Sequence, residues 1–104
     1  MVDLKLLHGN VEDNIATQAY RRFYMHGIGH WIGLDVHDVG GRFHQGQARK
    51  LLENMCTTVE PGLYIQAAED IPPEFHNIGI RIEDNVRVSA NAAEVYTTAT
   101  PKEI

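Results

Sequence analysis

With 104 residues, 14 of them acidic and 9 basic for a formal charge of -5, the chain is one domain or part of one and buries roughly two-thirds of the surface it exposes when unfolded. No lysine or arginine run stands out, so nucleic acid and anionic membrane surfaces have no support as partners. Cys56 is the only cysteine, and no apolar stretch approaches the ~20 residues that span a bilayer, which excludes a disulfide framework, a cysteine-based zinc domain and a membrane anchor of that kind.

Residues 1–9 alternate weakly and read as the end of a helix stopped at Gly9 or as a short connection. Asn10 is a candidate N-cap, with Glu12 and Asp13 in the first turn where the helix dipole favours acids. Val11, Ile15, Ala16, Ala19 and Phe23 recur at helical spacing, so an amphipathic helix is expected over 10–22, with Arg21 and Arg22 solvating its last turn.

The next stretch, His26 to Asp38, sets three histidines and two aspartates among three glycines within thirteen residues. His26 and His30 would stack on one face of a helix, but Gly27 and Gly29 between them disfavour one. In extended chain the same spacing also puts them on one side. Alternation then separates His30 from His37 unless the chain bends, and Gly33 is the place for that bend. Five side chains able to bind a metal or move a proton outweigh the plainer reading of a polar surface loop.

Gly40-Gly41 marks a turn, 41–48 reads as an exposed loop carrying a surface histidine, His44, and 48–54 as one short helical turn. Residues 56–66 read as a strand interrupted by Pro61-Gly62, because proline donates no ladder hydrogen bond. Val59, Leu63 and Ile65 fall on one side of it, and Thr58, Glu60 and Tyr64 on the other; Cys56 is expected in the core. A proline-containing acidic loop follows at 67–76. Residues 78–88 form the clearest strand, with Ile78, Ile80, Ile82, Val86 and Val88 on one face and Arg81, Glu83 and Arg87 on the other. Asp84 falls on the apolar side and needs a partner or a bulge. A turn at 89–93 and a strand at 94–100 complete an α+β layer of one or two helices with a largely antiparallel sheet. The chain contains no internal repeat.

His30, Glu60 and Glu83 come from three segments and together make a donor set of one imidazole and two carboxylates. Such a set suits a divalent cation, with the carboxylates favouring manganese or a shared pair of metals over a closed zinc site. His26 and His37 would then be available to bind or protonate a substrate. An ion pair of Glu83 with Arg81 or Arg87, and a turn-capping role for Glu60, remain open on spacing alone.

The segments H-G-I-G-H-W-I-G-L-D-V-H-D (26–38), T-V-E-P-G-L-Y-I (58–65) and G-I-R-I-E-D-N-V (79–86) resemble, in order and spacing, the C-terminal half of the Xaa-Pro aminopeptidases. Their relatives are prolidase, creatinase and methionine aminopeptidase. The resemblance covers about the whole chain and implies the C-terminal half of a pita-bread fold. It also implies a dinuclear peptidase, usually manganese-dependent with zinc or cobalt as other options, that removes an N-terminal residue preceding proline. His30, Glu60 and Glu83 match its metal ligands, with Glu83 bridging both ions. Glu60 also matches the carboxylate that handles the proton of the attacking water. His26 and His37 match histidines that contact the substrate, Arg81 an arginine lining the site, and Asp38 a residue behind the ligands.

Two departures accompany the resemblance. Where the family usually reads L-E-P-G-M before T-V-E-P-G, this chain has Leu52-Glu53-Asn54-Met55, which implies a remodelled turn. The family's two aspartate ligands have no counterpart in residues 1–25, so three ligands remain. The expectation is an isolated chain that is catalytically silent, in a cytoplasmic setting, forming homo-oligomers or pairing with an N-terminal half. A prolidase-type dipeptidase and a non-catalytic binding module on the same fold are the alternatives; assays on dipeptides and longer peptides, and a metal titration, separate them.

Overall fold

The computed structural model describes residues 1–103. In chain order the elements are helix α1 (Val11–Ala16), then strands β1 (Trp31–Ile32), β2 (Phe43–His44), β3 (Gln47–Ala48), β4 (Cys56–Val59), β5 (Gly62–Ile65), β6 (Ile78–Arg81), β7 (Asp84–Val88) and β8 (Ala93–Val95). All strand pairs are antiparallel. The chain divides into two compact units, residues 1–26 with 61–81 and residues 27–60 with 82–104.

The first unit holds the buried apolar core. Leu6, Phe23, Ile65 and Ile71 are buried there, with Leu63, Phe75 and Ile78 packed against them. Residues 1–9 form turns, with Gly9 at φ 81°, and do not end a helix. Asn10 caps α1 as its residue type suggests, its side-chain oxygen accepting from the Asp13 amide at 2.7 Å.

The helix then stops at Ala16. Gln18 takes a left-handed conformation (φ 57°), and only a single 3-10 turn, Ala19–Arg22, continues the chain. The expected apolar stripe fails with it. Val11 and Ile15 are 55% and 61% exposed, while Asn14 is buried. The Asn14 amide explains the reversal, donating to the carbonyls of His8 (2.8 Å) and Asn10 (2.7 Å), so the helix turns its polar side inward to satisfy the preceding turn. Of that stripe only Phe23 reaches the core.

Strands β5 and β6 pair from Gly62–Arg81 to Ile65–Ile78, and Tyr64 extends the contact by donating its amide to the Phe23 carbonyl at 2.8 Å. Arg22 does more than solvate a helix end. Its guanidinium grips Asp70 with both terminal nitrogens, at 2.5 and 2.8 Å, and lies 5.2 Å from the Phe23 ring centre.

In the second unit, strands β1, β4, β7 and β8 lie in that order in one sheet, and β2–β3 form a separate hairpin. That hairpin replaces the expected loop at 41–48. Gln45 and Gly46, at φ 50° and 76°, supply the paired left-handed residues that a two-residue turn between twisted strands needs. No helical turn forms over 48–54. A tight turn closes instead from the Met55 amide to the Leu52 carbonyl at 3.1 Å, with Asn54 at φ 69° in the left-handed conformation that asparagine tolerates. The Asn54 side chain accepts from Arg87 Nη1 at 2.8 Å, and Arg87 also pairs with Glu94 across β7–β8.

The two long strands expected at 56–66 and 78–88 are each divided. Glu60–Pro61 and Ile82–Glu83 belong to no ladder. Thr58 is buried and Val59 is 40% exposed, so β4 turns its hydroxyl side inward, opposite to the apolar preference. Cys56 is half-buried and unpaired. Asp84 receives the partner it needs: the Thr97 hydroxyl donates to it and Lys102 Nζ lies at 3.0 Å, which hold its carboxyl below the usual carboxylate range. Strand β8 ends at Val95, short of the expected Thr100. No helix among the described residues is long and apolar enough to cross a membrane.

Two outcomes are expected. Phe23→Ala should destabilise the first unit by about 3–5 kcal/mol, read from urea denaturation, because it empties the best-buried side chain of a small core. The Arg22 hydrogen bond lowers the Asp70 carboxyl to about 2. A depressed folded-state pKa contributes stability above the unfolded value near ~4 that is lost as pH falls towards 2. Asp70→Asn should therefore flatten the melting-temperature profile between those limits, by a modest amount since both partners are exposed to solvent.

Candidate metal centre

The second unit assembles the donor set at one end of its sheet, from residues that flank β1, β4 and β7. Pairing of β1 with β4 is only two residues long by strand geometry, yet the hydrogen bonds run further. The His30 carbonyl accepts from the Thr58 amide and the Thr57 hydroxyl, both at 2.9 Å, and the Ile28 carbonyl accepts from the Glu60 amide at 2.7 Å. This close approach requires Gly29, because a Cβ there would collide with the Thr58 carbonyl. The segment carrying His30 is thereby laid along β4 as far as Glu60.

The His30 ring is oriented by its own neighbour. Nδ1 lies 3.0 Å from the Trp31 carbonyl, which can only accept, so Nδ1 donates to it and Nε2 is the ring nitrogen left to face the carboxylates. Nε2 stands 3.6 Å from Glu60 Oε1, beyond a hydrogen bond but within the span of a shared cation.

Glu83 arrives by register. Strand β4 pairs with β7 as far as Val59 opposite Asp84, and continuing by one residue sets Glu60 opposite Glu83. Like charges placed directly across two strands repel. Ligand atoms of His30, Glu60 and Glu83 all lie within 4.8 Å of one another. One imidazole nitrogen and two carboxylates at that spacing fit a divalent cation, which would turn the repulsion into attraction.

The bend expected at Gly33 is present. The Gly33 amide donates to the Asp35 carbonyl (3.1 Å), and the Asp38 amide to the Trp31 carbonyl (3.0 Å). The Asp38 carboxylate fills the space a Cβ on Gly33 would need and accepts from the Asp35 amide. This reversal returns His37 to His30, with ring centres 4.2 Å apart and planes tilted by 44°. Arg42 donates to the Gly29 carbonyl and secures the start of the segment.

His26 and Arg81 belong to the first unit. There His26 Nε2 meets the Tyr64 hydroxyl at 2.7 Å, and its ring lies edge-on to Tyr24 and Tyr64. Arg81 ends β6 opposite Gly62, with its residue exposed. His44 sits on the exposed β2–β3 hairpin. Sequence reasoning singled out neither Tyr64 nor Thr58, although alternation had placed both on the Glu60 side of that segment.

A profile of metallopeptidase family M24 matches residues 2–90. A curated Xaa-Pro aminopeptidase of Haemophilus influenzae is 51% identical over all of this chain, which spans 24% of that relative's length. Among solved structures, aminopeptidase PepP of Pseudomonas aeruginosa superposes with a TM-score of 0.93 at 48% identity, covering 98% of this chain and 23% of its own. Aminopeptidase P of Escherichia coli with the inhibitor Pro-Leu gives 0.89 at 45% identity, with the same coverage of both chains. The chain thus spans about a quarter of the length of the relatives it matches.

The carboxylate opposition has a direct readout. At Mn2+ a hundredfold above its dissociation constant the chain should gain about 2.7 kcal/mol of stability in thermal or urea unfolding. Glu83→Gln should melt higher than the parent without metal and lose that gain. A variant that melts lower without metal and keeps the full gain would contradict the assignment.

Proposed function

This chain belongs to metallopeptidase family M24, and from that membership we propose that it supplies part of the active site of a metal-dependent Xaa-Pro aminopeptidase, as the C-terminal half of its catalytic domain. The observation carrying the reading is the convergence of His30, Glu60 and Glu83 within one unit. The wider activity is taken from relatives about four times as long as this chain.

His30 Nε2 and the carboxylates of Glu60 and Glu83 would hold the cation, with manganese the metal proposed. When bound, the metal supplies Lewis-acid polarisation of the scissile carbonyl and acidifies the attacking water. Glu60 takes the proton of that water and returns it to the departing prolyl nitrogen. His37, whose ring lies tilted against that of His30, donates to the carbonyl oxygen as negative charge gathers on it. His26 is assigned to substrate binding and Arg81 to lining the site, both on the family resemblance. The substrate is a peptide with proline in second position. A cytoplasmic setting is part of the same proposal and accords with the single unpaired Cys56.

The proposal also has this chain working with further polypeptide. Among the described residues the four buried apolar side chains all lie in the first unit, while Leu34, Val36 and Val39 of the second are 105%, 72% and 92% exposed. A surface of that kind calls for a cover, either a second copy or an N-terminal half. The two aspartate ligands implied by the family resemblance would come from that half.

Three results are expected. In a protein that carries this segment, Glu60→Gln should lower manganese-supported cleavage of an Xaa-Pro peptide by at least about 100-fold; undiminished turnover would defeat the role given to Glu60. The 104-residue chain alone should show no cleavage. In sedimentation it should self-associate, and a strict monomer at high concentration would remove the case for a missing cover.

A further inference from the structure

Thr58 is a hydroxyl in the interior of the unit that carries the metal centre, 2% exposed, on the side of β4 that turns inward. Its hydroxyl oxygen accepts from the His30 amide at 2.9 Å. A threonine hydroxyl has one hydrogen to give, and it is given to Glu60 Oε1 at 3.2 Å. That oxygen is the one standing 3.6 Å from His30 Nε2. One hydroxyl therefore touches both donor residues, taking a hydrogen from the backbone of one and offering its own to the carboxylate of the other.

We propose that Thr58 is a positioning residue of this centre, its hydroxyl setting the distance between His30 and the Oε1 atom of Glu60. The inference rests on the metal-centre reading of those two residues. It follows from directionality: the acceptor side of the hydroxyl is committed to His30, so its hydrogen is aimed at Glu60. A valine would fill the same space, leave the His30 amide without this acceptor, and remove one hold on Oε1. A serine would keep both contacts.

The test compares Thr58→Val and Thr58→Ser in the 104-residue chain, with Mn2+ affinity measured by calorimetry and the exchange rate of the His30 amide measured by NMR without metal. The valine variant should bind Mn2+ about 10–100-fold more weakly and exchange its His30 amide faster, while the serine variant stays close to the parent in both. Equal affinity in parent and valine variant, or a serine variant as weak as valine, overturns the proposal. Should the parent take up no Mn2+ at all, the metal-centre reading fails. Thr58 is then judged by the amide alone, where slow exchange in parent and serine with fast exchange in valine sustains the clamp, and any other pattern ends it. If the valine variant does not fold, fast exchange at His30 in the parent is the overturning result.

Discussion

Two carboxylates facing each other across an antiparallel pair are a liability in any sheet, and the second unit places Glu60 and Glu83 in that relation one step beyond its last ladder pair. A cation between them and His30 would convert the arrangement from a cost into a binding site. Much of the surrounding structure is explicable as the means of holding these three side chains in place. The β4–β7 ladder stops at this level, with Glu60–Pro61 and Ile82–Glu83 outside the strands, while the Glu60 amide is still held by the Ile28 carbonyl. Pro61 has no amide to contribute there.

Close backbone approach is the second theme. Gly29 lets the histidine segment lie against the Thr58 carbonyl, and Gly33 leaves room for the Asp38 carboxylate. The first contact delivers His30 to Glu60; the second folds the chain so that His37 returns to His30. Orientation then falls to single polar contacts. The Trp31 carbonyl accepts from Nδ1 of His30 and so orients its ring, and the Thr58 hydroxyl reaches both donor residues. The two units divide the labour in a physically sensible way. The first has the buried apolar core, and the second carries the donor set on a sheet stabilised by ladder bonds and by polar contacts such as Arg87–Glu94 and Asp84–Lys102.

Much of this was legible in the residues. Period-two alternation indicated antiparallel strands, Asn10 a helix start, Pro61-Gly62 an interruption, Gly33 a bend and Asp84 a need for a partner, and each has its counterpart in the structure. The grouping of His30, Glu60 and Glu83 was also readable, partly from donor chemistry and partly from family resemblance. The failures share a cause. Helical spacing of Val11, Ile15 and Phe23 suggested a long amphipathic helix, but the six-residue α1 is oriented by the amide of Asn14 satisfying two carbonyls. The β2–β3 hairpin was missed because its residues are exposed on both faces and leave no apolar pattern.

What the sequence by itself determined is therefore the inventory and its local rules: which side chains can bind a cation, where the chain must turn, and which stretches alternate. Those depend on residue type and on neighbours one to four positions away. The tertiary structure decided that Glu60 stands opposite Glu83, that the bend brings His37 onto His30, and that Thr58 faces inward while Val59 does not. Such outcomes come from strand register and from hydrogen bonds between segments about thirty residues apart, as between His30 and Thr58. A one-residue shift in register would reverse the face of every side chain in the strand, with no change in the sequence that encodes it.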